Sequence, residues 1–198
     1  MQHREQTFEG SGGVTLREQR WAPDSATRAE VIVHHGLWDY ADYYAPFAEE
    51  LARRNFSVTA HDMRGHGRSG GPRYQVGDFD EYLADLDLVL GRVAARAEGR
   101  PIFLFGHSLG GLISTLHGIT RPKSGVRGYV ISGAGLKEGR DITPLLKAVV
   151  PIIGALLPGL PSYKPDFDYG SRDKAVMQRK RQDPYIDQKG LPARAGAA

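Results

Sequence analysis

Ile102-Phe103-Leu104-Phe105-Gly106-His107-Ser108-Leu109-Gly110-Gly111 is the stretch whose reading decides the fold. Its first four residues are bulky and apolar without alternation, the pattern of a short strand buried on both faces. Leu109 to Gly118 then reads as a helix. Between the two lies G-x-S-x-G, a spacing with a steric reason. A serine on a sharp strand-to-helix bend has little room beside it, and glycine two residues before and two after removes the Cβ clash. The Ser108 hydroxyl is then lifted above the sheet, and the Leu109 backbone N–H points to where an oxyanion would form. The positive end of the new helix adds to that field. The alternative is a glycine-rich turn with an incidental serine; the strand–turn–helix setting argues against it.

Working outward, the same alternation recurs. Residues 5–20 read as two strands around Gly10-Ser11-Gly12-Gly13, a hairpin composition. Ala29 to His34 and Phe56 to Ala60 read as inner strands, and Val126 to Ser132 as a further strand. Helical spacing is found over Tyr43 to Arg54, with Pro46 in its first turn, and over Phe79 to Ala97. Strands alternating with helices imply an α/β architecture with a mostly parallel sheet and helices on both faces. From Gly133 onward the alternation fails. The expected organisation is therefore a core over 1–135, a helical cap or lid over 136–170, and a post-cap segment over 171–198 with one helix across Arg172 to Arg181.

Composition narrows the chemistry. The 198 residues suit one domain, and the absence of cysteine excludes disulfides, thiolate catalysis and cysteine–zinc sites. The net charge of +3 is modest. Its one dense run, Arg172, Lys174, Arg179, Lys180 and Arg181, lacks interleaved aromatics and reads as a solvated helix face, so no nucleic-acid partner is expected. The polar start Met1-Gln2-His3-Arg4-Glu5 leads to no apolar signal core. The most apolar stretch, Pro144 to Pro161, is broken by Lys147, Pro151, Gly154 and Pro158, so no integral membrane segment is expected. A cytoplasmic protein, with membrane association through the cap, is the corresponding expectation.

Two further motifs frame the serine. His34-His35-Gly36-Leu37 follows the strand ending near residue 33, where this kind of site needs its second oxyanion donor; the Leu37 N–H is the candidate, with Gly36 permitting the turn. His35 reads as a brace for this loop rather than a catalytic group, and His34, facing the opposite way, has no assigned role. His61-Asp62-Met63-Arg64-Gly65-His66-Gly67-Arg68-Ser69-Gly70-Gly71 invites a phosphate-binding reading. It lacks the order G-x-x-x-x-G-K-[ST] and precedes a loop, so a packed turn tied by Asp62 and Arg64 is preferred.

In this order and at these separations, the motifs resemble the monoacylglycerol lipase and lysophospholipase group of α/β-hydrolases, also called serine aminopeptidase-like. Gly36, Asp39 and Tyr44 follow its H-G-x-x-[ED] pattern. Asp62, Arg64, Gly65, His66, Gly67, Ser69 and Gly71 match D-x-R-G-H-G-x-S-x-G, and residues 106–111 match G-H-S-[ML]-G-G in full. The likeness runs on through Pro144 to Pro161, Ser171-Arg172-Asp173 and Asp183-Pro184. It implies a serine carboxylic-ester hydrolase with Ser108 as nucleophile and Leu37 and Leu109 at the oxyanion hole. It further implies a monoacylglycerol, lysophospholipid or related lipid ester as substrate, and neither cofactor nor metal. Leu145, Leu146, Val149, Ile152, Ile153, Leu156 and Leu157 would line an acyl tunnel or touch lipid, though a plain packed helix explains them equally. A peptidase of the same group remains open; a dehalogenase or epoxide hydrolase is disfavoured because those carry aspartate at the elbow.

One part of the pattern is not met. The fold orders its triad serine, acid, histidine, and no histidine follows His117. His107 shares the turn with Ser108, and His117 lies more than two helical turns along, out of reach of its proton. Two more strand–helix units would need roughly 60 further residues. The expectation is a truncated hydrolase whose last core strands are missing and whose Val126–Ser132 strand is an exposed apolar edge. Its rivals are an inactive remnant or interaction scaffold on the same fold, and a site completed by a separately encoded segment.

Overall fold

The strands that the sequence marks as inner form the middle of one sheet, and the amino-terminal hairpin lies at one rim. A computed structural model describes residues 1–136, 155–156, 160–163, 171–187 and 190–192. The strands β1 (Gln2–Glu9) and β2 (Thr15–Ala22) make the expected hairpin. After them come β3 (Ala29–His34), α1 (Ala45–Arg53), β4 (Phe56–Asp62), α2 (Asp80–Ala97), β5 (Ile102–His107), α3 (Leu109–Thr120) and β6 (Val126–Ser132). The six strands run in the order β1-β2-β4-β3-β5-β6, with β4, β3, β5 and β6 mutually parallel and β2 antiparallel to both of its neighbours, β1 and β4.

Side-chain alternation sorts the core into two layers. Ile32, Ile102 and Leu104 face Leu83, Leu86, Val89, Leu90 and Val93 of α2 and Ile113 of α3. Val31, Val33, Val58 and Ala60 face Ala48 and Ala52 of α1 on the other side. Helices therefore cover both faces, as expected. Every residue of β3 is buried, so it is the axis of the sheet. At the opposite extreme β6 is an edge among the described residues, with Val130 and Ile131 exposed.

Beyond Gly133 the expectations meet only fragments. A short helix, α4 (Lys174–Gln182), lies where the basic run placed one. The Asp173 carboxylate caps it by accepting from the Ala175 N–H at 2.9 Å, and its last turn carries Arg179, Lys180 and Arg181 where a helix C-terminus favours cations. The pair β7 (Pro161–Tyr163) and β8 (Leu191–Pro192) was not foreseen. Most of the expected cap over 136–170 lies outside the described residues; Leu136, Leu156 and Leu160 are exposed. Tyr43 and Tyr44 belong to a single tight turn (Ala41–Tyr44) rather than to α1, because Pro46 suits the helix start just after them.

Leu86 is completely buried between α2 and the sheet. Leu86→Ala should lower unfolding free energy in urea by about 2–5 kcal/mol, whereas Val130→Thr on the exposed edge should change it by less than about 0.5 kcal/mol.

Candidate active site

The chain leaves β3 toward β4 on one side and later places β5 on the other, so the crevice between the β3 and β5 carboxyl ends is a topological switch point. Register aligns three strand ends there: His34 opposite Gly106, and His107 opposite Ser132. Ser108 follows directly, half-buried, with φ 51° and ψ −115°. A non-glycine residue in that region carries about 1–3 kcal/mol of backbone strain and persists only where its surroundings enforce it. Here its N–H donates to the Ser132 carbonyl at 2.9 Å, and its carbonyl accepts from Leu112 N–H at 3.0 Å, starting α3. The strand–bend–helix reading of residues 102–111 is therefore met.

The flanking glycines are needed for close approach. A Cβ on Gly106 would lie 2.4 Å from Ser114 Oγ, and one on Gly110 would lie 2.2 Å from the His34 carbonyl oxygen. The first turn of α3 thus rests directly on the end of β3. Gly36 plays the same part from the facing loop, since a Cβ there would sit 3.1 Å from Ser108 Cβ. The sequence reading expected Gly36 to permit the turn. Instead Trp38 takes the left-handed conformation, with φ 54°, and Asp39 N–H closes the bend on the Gly36 carbonyl at 3.2 Å. Among the described residues no acceptor takes the Leu37 N–H. Leu109, as the first residue of α3, belongs to the turn whose N–H groups lack an intrahelical partner.

His35 is the expected brace. Met63 N–H donates to His35 Nε2 at 2.9 Å, which leaves the proton on Nδ1 to bond the Gly36 carbonyl at 2.8 Å. Burial holds this imidazole neutral, well below the usual histidine range, as the tautomer requires. The Asp62–Gly71 loop is the expected packed turn. Asp62 accepts from the Ala41 and Arg68 amides at 2.8 and 2.9 Å, and Arg64 grips Asp85, Glu81 and the Ser11 carbonyl. A depression of about 320 Å³ beside this loop, lined in part by Val14, Arg64, Pro72 and Val76, contains none of the elbow residues.

No histidine described here is placed to take the Ser108 proton. His107 Nδ1 lies 3.3 Å from Ser132 Oγ, and His117 is bound by Asp87 at 3.0 Å and Tyr129 at 3.1 Å. His34 and His61 lie with their ring centroids 5.0 Å apart and their planes tilted in the interior. Sequence reasoning missed a second cluster at the site. Asp39, Tyr40 and Tyr43, on the loop after Leu37, meet Lys180 and Asp183. Asp39 and Asp183 stood in the motif patterns, but nothing in the sequence paired them with one another's loops.

A model of the serine aminopeptidase, S33, family matches residues 25–198. The chain belongs to this family of α/β-hydrolases. A monoacylglycerol lipase of Mycolicibacterium smegmatis is 34% identical over 189 residues, covering 96% of this chain and 67% of that protein. The human monoglyceride lipase is 30% identical over 171 residues, covering 86% and 56% respectively. The crystal structure of Paleococcus ferrophilus monoacylglycerol lipase superposes with a TM-score of 0.78 at 28% identity, covering 92% of this chain and 67% of its own. The chain spans between 56% and 67% of the length of these relatives. Among the described residues no helix is long and apolar enough to cross a membrane.

The buried histidines His34, His35, His61 and His66 should make the fold acid-sensitive. Burial pulls His61 and His66 down to about 4 and lowers His34 and His35 as well. In the unfolded chain they titrate near 6.5, so their contribution is complete above that pH and is lost as pH falls toward 4. His61 and His66 should each cost about 1.4 kcal/mol of stability per pH unit as pH falls through that window. Urea titrations at pH 7, 6 and 5 should show stability falling with pH, with a shallower slope in His66→Gln. An equal slope in that variant would place the acid sensitivity elsewhere.

Proposed function

We propose that the chain carries the nucleophile and oxyanion half of a serine ester hydrolase acting on monoacylglycerols or related lipid esters. The observation that carries this reading is the strained Ser108 at the switch point, with the Gly36–Leu37 loop packed against its Cβ. Ser108 Oγ attacks the acyl carbonyl carbon, and the carbonyl π electrons move onto oxygen. The Leu37 and Leu109 amides hold that oxyanion; one such donor is worth about 10²–10³ in rate. The alcohol leaves on collapse to the acyl-serine, and water releases the fatty acid. The acyl-ester choice is supported by the lipases among its relatives.

The proton from Ser108 needs a base, which the described histidines do not supply. Serine without one is a poor nucleophile, so the 198-residue chain by itself should turn over slowly, on oxyanion stabilisation and binding alone. The specific observation behind the rival reading, an inactive scaffold, is that both nitrogens of His117 are engaged and no histidine follows it within these 198 residues.

Hydrolysis of a short-chain nitrophenyl ester, with and without added imidazole as an external base, separates the two. The chain should show weak turnover that imidazole raises above its own background, and Ser108→Ala should abolish both components. A fluorophosphonate should also label Ser108 slowly, Oγ bonding phosphorus as fluoride leaves and the serine proton passes to solvent. Turnover and labelling unchanged in Ser108→Ala would remove this residue from the chemistry, and their complete absence in the parent chain would favour the scaffold.

A further inference from the structure

The end of α4 reaches across 141 positions of sequence to hold the loop that carries Leu37. Lys180 Nζ donates to the Asp39 carboxylate and, at 3.4 Å, to the Trp38 carbonyl, and sits 4.9 Å from the Tyr43 ring centroid. Three residues on, one carboxylate oxygen of Asp183 accepts from both the Tyr40 and Tyr43 hydroxyls, at 2.7 and 2.9 Å. Its other oxygen accepts from the Tyr185 N–H at 2.8 Å, which fixes the carboxylate itself. Asp39 also accepts from the Tyr44 hydroxyl at 3.4 Å.

These contacts bear on a strained turn. Trp38 holds a left-handed conformation that costs a side-chain-bearing residue roughly 1–2 kcal/mol, and its carbonyl and the next carboxylate are the two atoms that Lys180 takes. The Asp39–Lys180 pair is largely desolvated, at 12% and 19% exposure, so loss of either charge leaves the other poorly solvated. Burial pushes the Asp39 carboxyl up, and Lys180 is the cation that opposes this. The same turn closes on Gly36, whose backbone packs on Ser108.

We propose that Lys180 and Asp183 are positioning residues, a two-point clamp by which the post-cap helix fixes the Leu37 amide beside Ser108. What Leu37 does there rests on the hydrolase reading above; the clamp does not. Because α4 follows the segment between the sheet and the helix, any displacement of α4 is transmitted to the loop through these two side chains. The α4 helix thereby sets oxyanion geometry without touching substrate.

Hydrogen exchange on the full 198-residue chain tests it. Lys180→Met should speed exchange of the amides of residues 37–39 by about tenfold while leaving core amides of β3 and β5 unchanged. Lys180→Arg should restore most of the protection, and Lys174→Met, on the exposed start of α4, should have no effect. Fluorophosphonate labelling of Ser108 should slow about tenfold in Lys180→Met and recover in Lys180→Arg, as expected for a loosened oxyanion donor. Unchanged exchange at 37–39, or exchange rising there and in the core alike, would overturn the clamp. Local loosening with Ser108 labelling unaffected would leave the clamp standing and sink the assignment of Leu37 to the oxyanion hole.

Discussion

Everything at the candidate site depends on one close contact, the first turn of α3 lying on the carboxyl end of β3. That contact exists because residue 110 has no side chain; the His34 carbonyl occupies the space a Cβ would need. Once α3 is seated there, the chain between β5 and α3 has only one residue in which to reverse, and Ser108 takes the strained conformation that results. The strain is offset by the core beneath it. Ile32, Leu104 and Ile113 are fully buried where β3, β5 and α3 meet, and burying one such side chain is worth about 1.5–3 kcal/mol. The serine is thus held out of its preferred backbone region by packing that does not involve its hydroxyl.

The loops around this point are set by charge rather than by apolar contact. Arg17, at 3% exposure, joins Glu5, Asp42 and Asp62, and Arg64 joins Asp85 and Glu81. Asp62 also takes two backbone amides from separate loops, so one carboxylate locates both. Buried pairs of this kind are weak sources of net stability but penalise any arrangement that leaves one charge alone. They therefore select one loop geometry over its neighbours.

Much of this was legible in the sequence because it rests on local rules. The glycine spacing around Ser108 and the unbroken apolar runs of β3 and β5 each have a nearby steric or solvation cause. The tie between Asp62 and the adjacent loops was legible as well, since a glycine-punctuated turn with an acid and a base has few other uses. The missed features are long-range. Nothing local relates Lys180 to Asp39, and Lys180 sits in a basic run whose other members are exposed, so the run reads as a solvated face. Gly36 reads from the sequence as the residue that permits the turn, whereas the structure shows it giving clearance to Ser108, a partner 72 positions away along the chain, from residue 36 to residue 108.

The histidines show most directly that position decides chemistry. Seven are present, and five of them, His34, His35, His61, His66 and His117, are buried. Residue type alone would make each a proton acceptor near neutral pH. His35 instead spends one nitrogen accepting from Met63 and the other donating to Gly36, so protonating it would cost the brace its acceptor. His66 bonds the Arg64 carbonyl, and burial keeps it neutral down to about pH 4. His117 is shared between Asp87 and Tyr129 on the far part of α3. Three of the five rings, those of His35, His66 and His117, are thus committed to holding a loop or a helix, and His34 and His61 are enclosed in the interior. None of the five shares a hydrogen bond with Ser108, so on the hydrolase reading the base comes from outside this set.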